Sequence, residues 1–162
     1  MATKQLNPDH TAAIIEVINK SPFYELLSIK ITALEVGYCR GELLLEEKHN
    51  SPLGRMHGGV YASAIDTVAW WSAYGSVSEE SGMTSIDLHV DNVSAVQNGN
   101  LSVEGRVLKA GKTLCFAEGT VKDEDGKLLA FGTSKLLVAN NLQTIKQALE
   151  MAGHGSLPPK YS

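Results

Sequence analysis

Two cysteines in 162 residues, Cys39 and Cys115, are too few for a disulfide framework. Their scarcity points to a reducing compartment, so the expectation is a cytoplasmic protein with both thiols buried as small side chains. Basic charge is scarce as well. Fourteen Lys and Arg face eighteen Asp and Glu, and no basic cluster is present. That excludes nucleic acid as a partner, because phosphate contacts carry most of such affinity. The opening residues, MATKQLNPDH, hold no apolar h-region, so no secretory signal is expected. Repeats, low-complexity segments and a dividing linker are also absent. A single domain over residues 1–162 follows, long enough to bury a real core.

Long apolar runs are lacking too, with one exception. Gly58 to Val77 is about long enough to span a bilayer. Its central Asp66, its many Ala, Ser and Gly residues and its lack of basic flanks assign it to a protein core instead, and no membrane is expected. Ala62, Ala64, Ile65, Val68, Ala69, Trp70, Ala73 and Val77 leave almost no polar face, which marks a helix surrounded by protein. Asp66 is the one charge in that helix. A lone carboxylate there costs free energy unless something compensates it.

The start of the same helix is informative. A polar, turn-rich loop with Asn50, Ser51, Pro52 and Gly54 runs into His57-Gly58-Gly59. The first backbone N–H groups of a helix have no intrahelical acceptor, and glycine lets another molecule approach them closely. Those amides, at the positive end of the helix dipole, suit a carbonyl oxygen that becomes negative during reaction. Loop, glycines and acid together read as an oxyanion site plus a catalytic carboxylate.

Spacing then adds a constraint. Gly58 and Asp66 are eight residues apart, roughly 12 Å along a helix. A carbonyl held at the Gly58 N–H cannot also touch Asp66 of the same helix. If both serve one carbon they come from two chains, with helices antiparallel across a two-fold axis, and an isologous dimer supplies that arrangement twice.

The remaining chain frames this helix. Residues 8–19 form an amphipathic helix started by Pro8 and Asp9, with Ile14, Ile15 and Ile18 as its stripe, and Ser21-Pro22 ends it. Strand patterns cover Leu27–Glu35 and Tyr38–Glu46. In the first, Ile29, Ile31 and Ala33 alternate with Ser28, Lys30 and Thr32. After the helix, residues 84–91 set Ile86, Leu88 and Val90 on one face and Ser85, Asp87, His89 and Asp91 on the other. Turns at Gln97–Asn100, Gly111-Lys112 and Asp125-Gly126 separate three more strands, Leu101–Lys109, Thr113–Lys122 and Lys127–Val138. A last helix over Asn140–Ala152 carries Leu142, Ile145 and Leu149 and stops at Gly153, with a loosely ordered end, GHGSLPPKYS. The class is α+β. A six-stranded antiparallel sheet wraps around one long central helix, with short helices before and after a core of about 27–138.

This order, with HGG at the helix start and an acid nine residues after the histidine, resembles the hotdog fold. More narrowly it resembles the acyl-CoA thioesterases of the phenylacetate-degradation type. The matching stretches are HN at 49–50, HGG at 57–59, AIDTVA at 64–69, SIDLHV at 85–90, and LKAGKTLCFAEGTV with DGKLLAFGT at 108–133. The resemblance implies that the Gly58 N–H polarises a thioester carbonyl, with His57 and Gly59 beside it. It implies that Asp66 of the partner subunit is nucleophile or general base for water, that Asn50 positions substrate or water, and that Ser85 orients the water or the acid. Gly111 and Lys112 would lie near the nucleotide of coenzyme A, with Lys109 as a further point charge, and no separate cofactor is implied.

Plainer readings stand beside these. Asp66 as a structural acid would be held by hydroxyls such as Ser63, Thr67 or Ser85. His57 would merely cap its helix, Lys109 and Lys112 would be ordinary exposed lysines, and the Asp87, His89, Asp91 face would be solvated, without a metal. Trp70, four residues after Asp66, shares its helical face and would shape an acyl pocket. The expected activity is acyl- or aryl-CoA hydrolysis by a homodimer or homotetramer. The alternatives are hydration or dehydration of an acyl thioester on the same fold, or a non-catalytic acyl-CoA-binding module.

Overall fold

The computed structural model describes residues 5–162, so the first four residues of the expected domain lie outside it. Helix α1 (Pro8–Asn19) begins where predicted. Asn7 caps it by accepting the Asp9 N–H at 3.0 Å, and Pro8 takes the first turn, where a missing N–H costs nothing. Ser21-Pro22 does not lead straight into a strand. Proline at a first helical position starts a second helix, α2 (Pro22–Leu26), which the sequence reading missed.

Strands β1 (Ile29–Glu35) and β2 (Tyr38–Leu44) precede the central helix α3 (Gly58–Tyr74). Strands β3 (Gly82–Asn92), β4 (Asn100–Ala110), β5 (Leu114–Lys122) and β6 (Leu128–Ala139) follow it. All neighbours are antiparallel, in the order β1-β2-β4-β5-β6-β3. The sheet wrapped around one long helix is the architecture expected from the pattern.

A row of glycines explains how the helix fits. Gly105, Gly119 and Gly132 lie side by side on β4, β5 and β6. A Cβ on Gly105 would stand 2.1 Å from the Val68 carbonyl oxygen, and one on Gly119 would stand 3.0 Å from the Ile65 methyl. The absent side chains at Gly105 and Gly119 let α3 lie against the sheet backbone, while a Cβ on Gly132 would meet the His89 carbonyl oxygen of β3 at 2.3 Å. Val103, Ala117, Val121, Leu129 and Leu136 close the rest of this core, all fully buried.

Two bulges shift the simple alternation. One between Ile31 and Ala33 puts Leu34 inside with Ile29 and Ile31, in place of the expected Ala33. The other, between Ser85 and Asp87, turns Ser85 to the helix side, in phase with Leu88 and Val90, and leaves Ile86 55% exposed. Ser85 therefore does not share a face with Asp87, His89 and Asp91. Those three stay outside, where Asp87 pairs with Lys135 at 2.8 Å and His89 with Asp91 at 3.1 Å.

The sheet ends unlike at its two edges. Asn19 brackets Ile31 of β1, donating to its carbonyl at 2.9 Å and accepting its N–H at 2.8 Å. At the opposite edge β3 runs eleven residues, and its outer side pairs with no described strand. The C-terminal helix α4 is shorter than expected, Ile145–Met151, because the Thr144 and Gln147 capping box starts it late.

The expected loose end is pinned. Lys160 is buried, donates to the Val77 carbonyl at 2.7 Å and sits 3.9 Å above the Tyr74 ring. Its carbonyl takes the Asn7 N–H. No helix among the described residues is long and apolar enough to cross a membrane.

Candidate functional site

Most of α3 is buried, but Gly59, Ala62, Ser63, Asp66 and Trp70 keep access to solvent. Their three- and four-residue spacing puts them on one stripe, which the chain's own sheet leaves open. Asp66 is half-buried on that stripe. Its Oδ1 accepts from the Ser85 hydroxyl at 2.8 Å, so of the three hydroxyls considered, Ser85 supplies the compensating bond. The bulge in β3 is what aims Ser85 inward. Ser63 is engaged elsewhere, donating to the Gly59 carbonyl at 3.0 Å.

A cavity of about 500 Å³ opens at Asp66. Trp70 and Trp71 wall it from α3, Phe23 and Tyr24 from α2, and Leu88 from β3. Trp71 Nε1 donates to the Tyr24 hydroxyl at 2.9 Å, which fixes that wall. Burial pushes the Tyr24 phenol up, so it stays a neutral hydrogen-bonding group. The aromatic residues of α2 were not anticipated from the sequence. Ser21-Pro22 ahead of Phe-Tyr was the available signal.

The second group of residues gathers at the start of α3. His57 is the N-cap, and its Nδ1 accepts the Gly59 N–H at 2.9 Å, so the neutral ring carries its proton on Nε2. The His57 carbonyl takes the Val60 N–H, and the His57 N–H goes to the His49 carbonyl at 2.8 Å. The Gly58 N–H meets no acceptor among the described residues. A cavity of about 360 Å³ at this turn is lined by His49, Asn50, His57, Gly59 and Ser63, with Lys48 at its side. Asn50 pairs with Met56 across the loop, which holds both ends of the 50–57 turn together.

His49 anchors this loop. It is 2% exposed, and its Nδ1 accepts the Glu46 N–H at 2.9 Å. Its Nε2 has no hydrogen-bond partner, although the Leu27 carbonyl lies near enough to act on the ring electrostatically. Burial, more than any charge, holds the His49 imidazole below its ordinary range.

The structure thus assembles two half-sites in one chain, Asn50, His57, Gly58 and Gly59 at one end and Asp66, Ser85 and Trp70 at the other. The helix between them is continuous, so their separation of roughly 12 Å stands. Lys109, Gly111 and Lys112 join neither. Their turn leads into Cys115, which packs with Ala73 and Val77 at the far end of α3 from Gly58.

A sheet folded around one helix, with an unclaimed amide at the helix start and a hydroxyl-bound carboxylate two turns on, has the makings of a hydrolytic site. Comparison with known proteins agrees. The family model described as the thioesterase superfamily matches residues 53–130. A protein of Saccharolobus solfataricus that carries an esterase name is 31% identical over 121 residues, which cover 74% of this chain and 86% of that one. Acyl-coenzyme A thioesterase 13 of Mus musculus is 28% identical over 125 residues, covering 74% and 87%. A solved thioesterase of Haemophilus influenzae superimposes with a TM-score of 0.74 at 19% identity, over 82% of this chain and 92% of that one, a likeness of fold. The fold is the hotdog fold. The chain belongs to the thioesterase superfamily and is a thioester hydrolase by class.

Proposed function

We propose that the protein is an acyl-CoA thioesterase that works as a homodimer, releasing a carboxylic acid and free coenzyme A. The observation that carries this reading is the pair of half-sites on α3, an acceptor-free Gly58 N–H and a Ser85-bound Asp66. Each lacks what the other holds. A two-fold axis that sets two α3 helices antiparallel brings the amide of one protomer to the carboxylate of its partner. The uncovered edge of β3 supports such a pairing, since an exposed long edge is a template for another strand.

In this reading the thioester carbonyl oxygen sits at the Gly58 N–H, with His57 holding the helix turn in place. Asp66 of the other protomer attacks the carbonyl carbon, or takes the proton of the water that does. The carbonyl electrons move onto oxygen and are stabilised there. Collapse re-forms the double bond and breaks the C–S bond, and the thiolate leaves with a proton from Asp66 or solvent. In the direct route, water then hydrolyses the acyl-aspartate. A thioester is activated enough that one carboxylate and one oxyanion donor suffice without a Ser-His-Asp triad. Asn50 positions the substrate or water, and Trp70 with its aromatic neighbours receives the acyl group. Lys109, Gly111 and Lys112 come to the coenzyme A nucleotide from a protomer other than the one donating the Gly58 amide.

The test is a thiol-release assay on a panel of saturated, unsaturated and aryl acyl-CoAs, with Asp66→Ala alongside. Thiol release that drops by at least about a hundredfold in the variant is expected. Water addition to an unsaturated thioester without thiol release would overturn the hydrolytic assignment, and binding without any turnover would leave a passive acyl-CoA module.

A further inference from the structure

Asn92 ends β3, on the far side of the bulge at Ser85–Asp87. Beyond the bulge Leu88 pairs with Ser134, Val90 with Gly132 and Asn92 with Ala130. Ser134 and Ala130 are buried under α3, so Leu88, Val90 and Asn92 project to the helix side of the sheet. Asn92 reaches the first turn of α3. Its Nδ2 lies 2.7 Å from the point that a Cβ on Gly58 would occupy. A side chain at position 58 would therefore displace the carboxamide, and glycine lets the two come together. The Asn92 carboxamide makes no hydrogen bond to another described residue. Its nitrogen thus stands against the Gly58 Cα, the atom bonded to the Gly58 N, and both donors are unclaimed.

We propose that Asn92 is a catalytic residue whose Nδ2–H is a second donor, next to the Gly58 N–H, for the thioester oxygen as it becomes an oxyanion. This rests on the reading that the Gly58 amide holds that oxygen. A carbonyl oxygen has two lone pairs and accepts two hydrogen bonds, and a tetrahedral oxyanion gains more from the second donor than the ground-state carbonyl does. A neutral carboxamide supplies that donor without placing another charge at the site. The two donors come from different elements, the start of α3 and the end of β3. The β3 bulge lets Ser85 reach Asp66 from the same face on which Asn92 meets Gly58.

Steady-state thiol release by the native protein, Asn92→Ala and the near-isosteric Asn92→Asp tests this. In Asn92→Ala, kcat falls about a hundredfold with little change in KM, the signature of a bond made in the transition state. Asn92→Asp, with an acceptor in place of the donor, falls at least as far. A second readout uses a ketone analogue in which methylene replaces the thioester sulfur, carrying a 13C carbonyl. Isotope-edited infrared spectra should show its carbonyl band lowered on binding the native protein and moved back toward the free position in both variants. A structural role alone would not move that band. Folded variants with native kcat and a native band position overturn the proposal, as does a rate that rises. A native protein that shifts the band through Asn92 yet releases no thiol would refute the hydrolase and keep the donor. Hydrolysis indifferent to Asn92 would refute the donor and keep the hydrolase.

Discussion

Replacing Gly105 by alanine puts one methyl group between the central helix and its sheet. The new Cβ would stand 2.1 Å from the Val68 carbonyl oxygen and 2.4 Å from its carbon. Both are backbone atoms in the middle of α3, so no rotamer change relieves the contact. Separation must grow past 3.0 Å, which real Cβ atoms essentially always keep, and α3 or β4 gives way by most of an ångström. Overpacking of this kind costs about 1–3 kcal/mol, and the rigid partner places this case at the upper end. Val68 lies two residues beyond Asp66, so the carboxylate moves with it. A misplacement of about 1 Å costs on the order of a hundredfold in rate. Urea unfolding reads the first effect and thiol release at saturating substrate the second. Gly119→Ala should be milder, because its Cβ meets the Ile65 methyl at 3.0 Å and the Ile65 carbonyl oxygen at 3.3 Å, so the neighbours need give only a few tenths of an ångström. Gly155→Ala meets nothing within 4 Å and should match the native protein. If Gly105→Ala is as stable and active as native, the close seating of α3 is not what positions Asp66.

Two further outcomes concern buried polar side chains, one at each end of α3. Lys160→Met removes a buried ammonium from the Val77 carbonyl and from the face of Tyr74. The lost charged hydrogen bond and cation–π contact, offset in part by relief of desolvation, should lower stability by about 1–3 kcal/mol. A native urea midpoint would show that the C-terminal clasp carries no weight. His49 is held neutral by burial, with its pKa below the ordinary value of about 6.5. The unfolded chain therefore binds the proton more readily. Stability is full above that ordinary value and is lost as pH falls below it, toward the folded-state pKa. Urea midpoints between pH 7.5 and 5 should drop less steeply in His49→Gln than in the native protein. Parallel slopes would refute that assignment.

The sequence was clearest where the pattern was physically forced. An apolar helix with one acid had to be wrapped by the sheet, and the HGG turn had to leave an amide open. The placement of Asp66 within the wrapped helix, and the capping turn of His57 that leaves the Gly58 amide open, were legible for that reason. Positions governed by a bulge were not. Strict alternation puts Ser85 with Asp87 and Ala33 inside, and one extra residue in each strand reverses both outcomes. Asn92 was invisible for another cause: alternation already sets it in phase with Leu88 and Val90, but no local pattern tells that the end of β3 meets the first turn of α3. The α2 wall of Phe23 and Tyr24 was hidden behind a proline taken as a stop, when proline equally starts a helix. The glycine row across β4, β5 and β6 has no signature in any single strand. It emerges once the registers align Gly105, Gly119 and Gly132.

Subunit complementation addresses the shared centre most directly. Asp66→Ala retains the amide half-site and Gly58→Val retains the acid half-site, so each homodimer has two broken centres. Unfolding the two variants together and refolding them at equal amounts makes about half of the dimers mixed, each with one intact centre across its two-fold axis. The mixture should recover about a quarter of the native rate of thiol release, while each variant alone stays near background. A mixture no faster than the mean of its two components, or an active native monomer, would contradict a centre built from the Gly58 amide of one protomer and the Asp66 carboxylate of its partner.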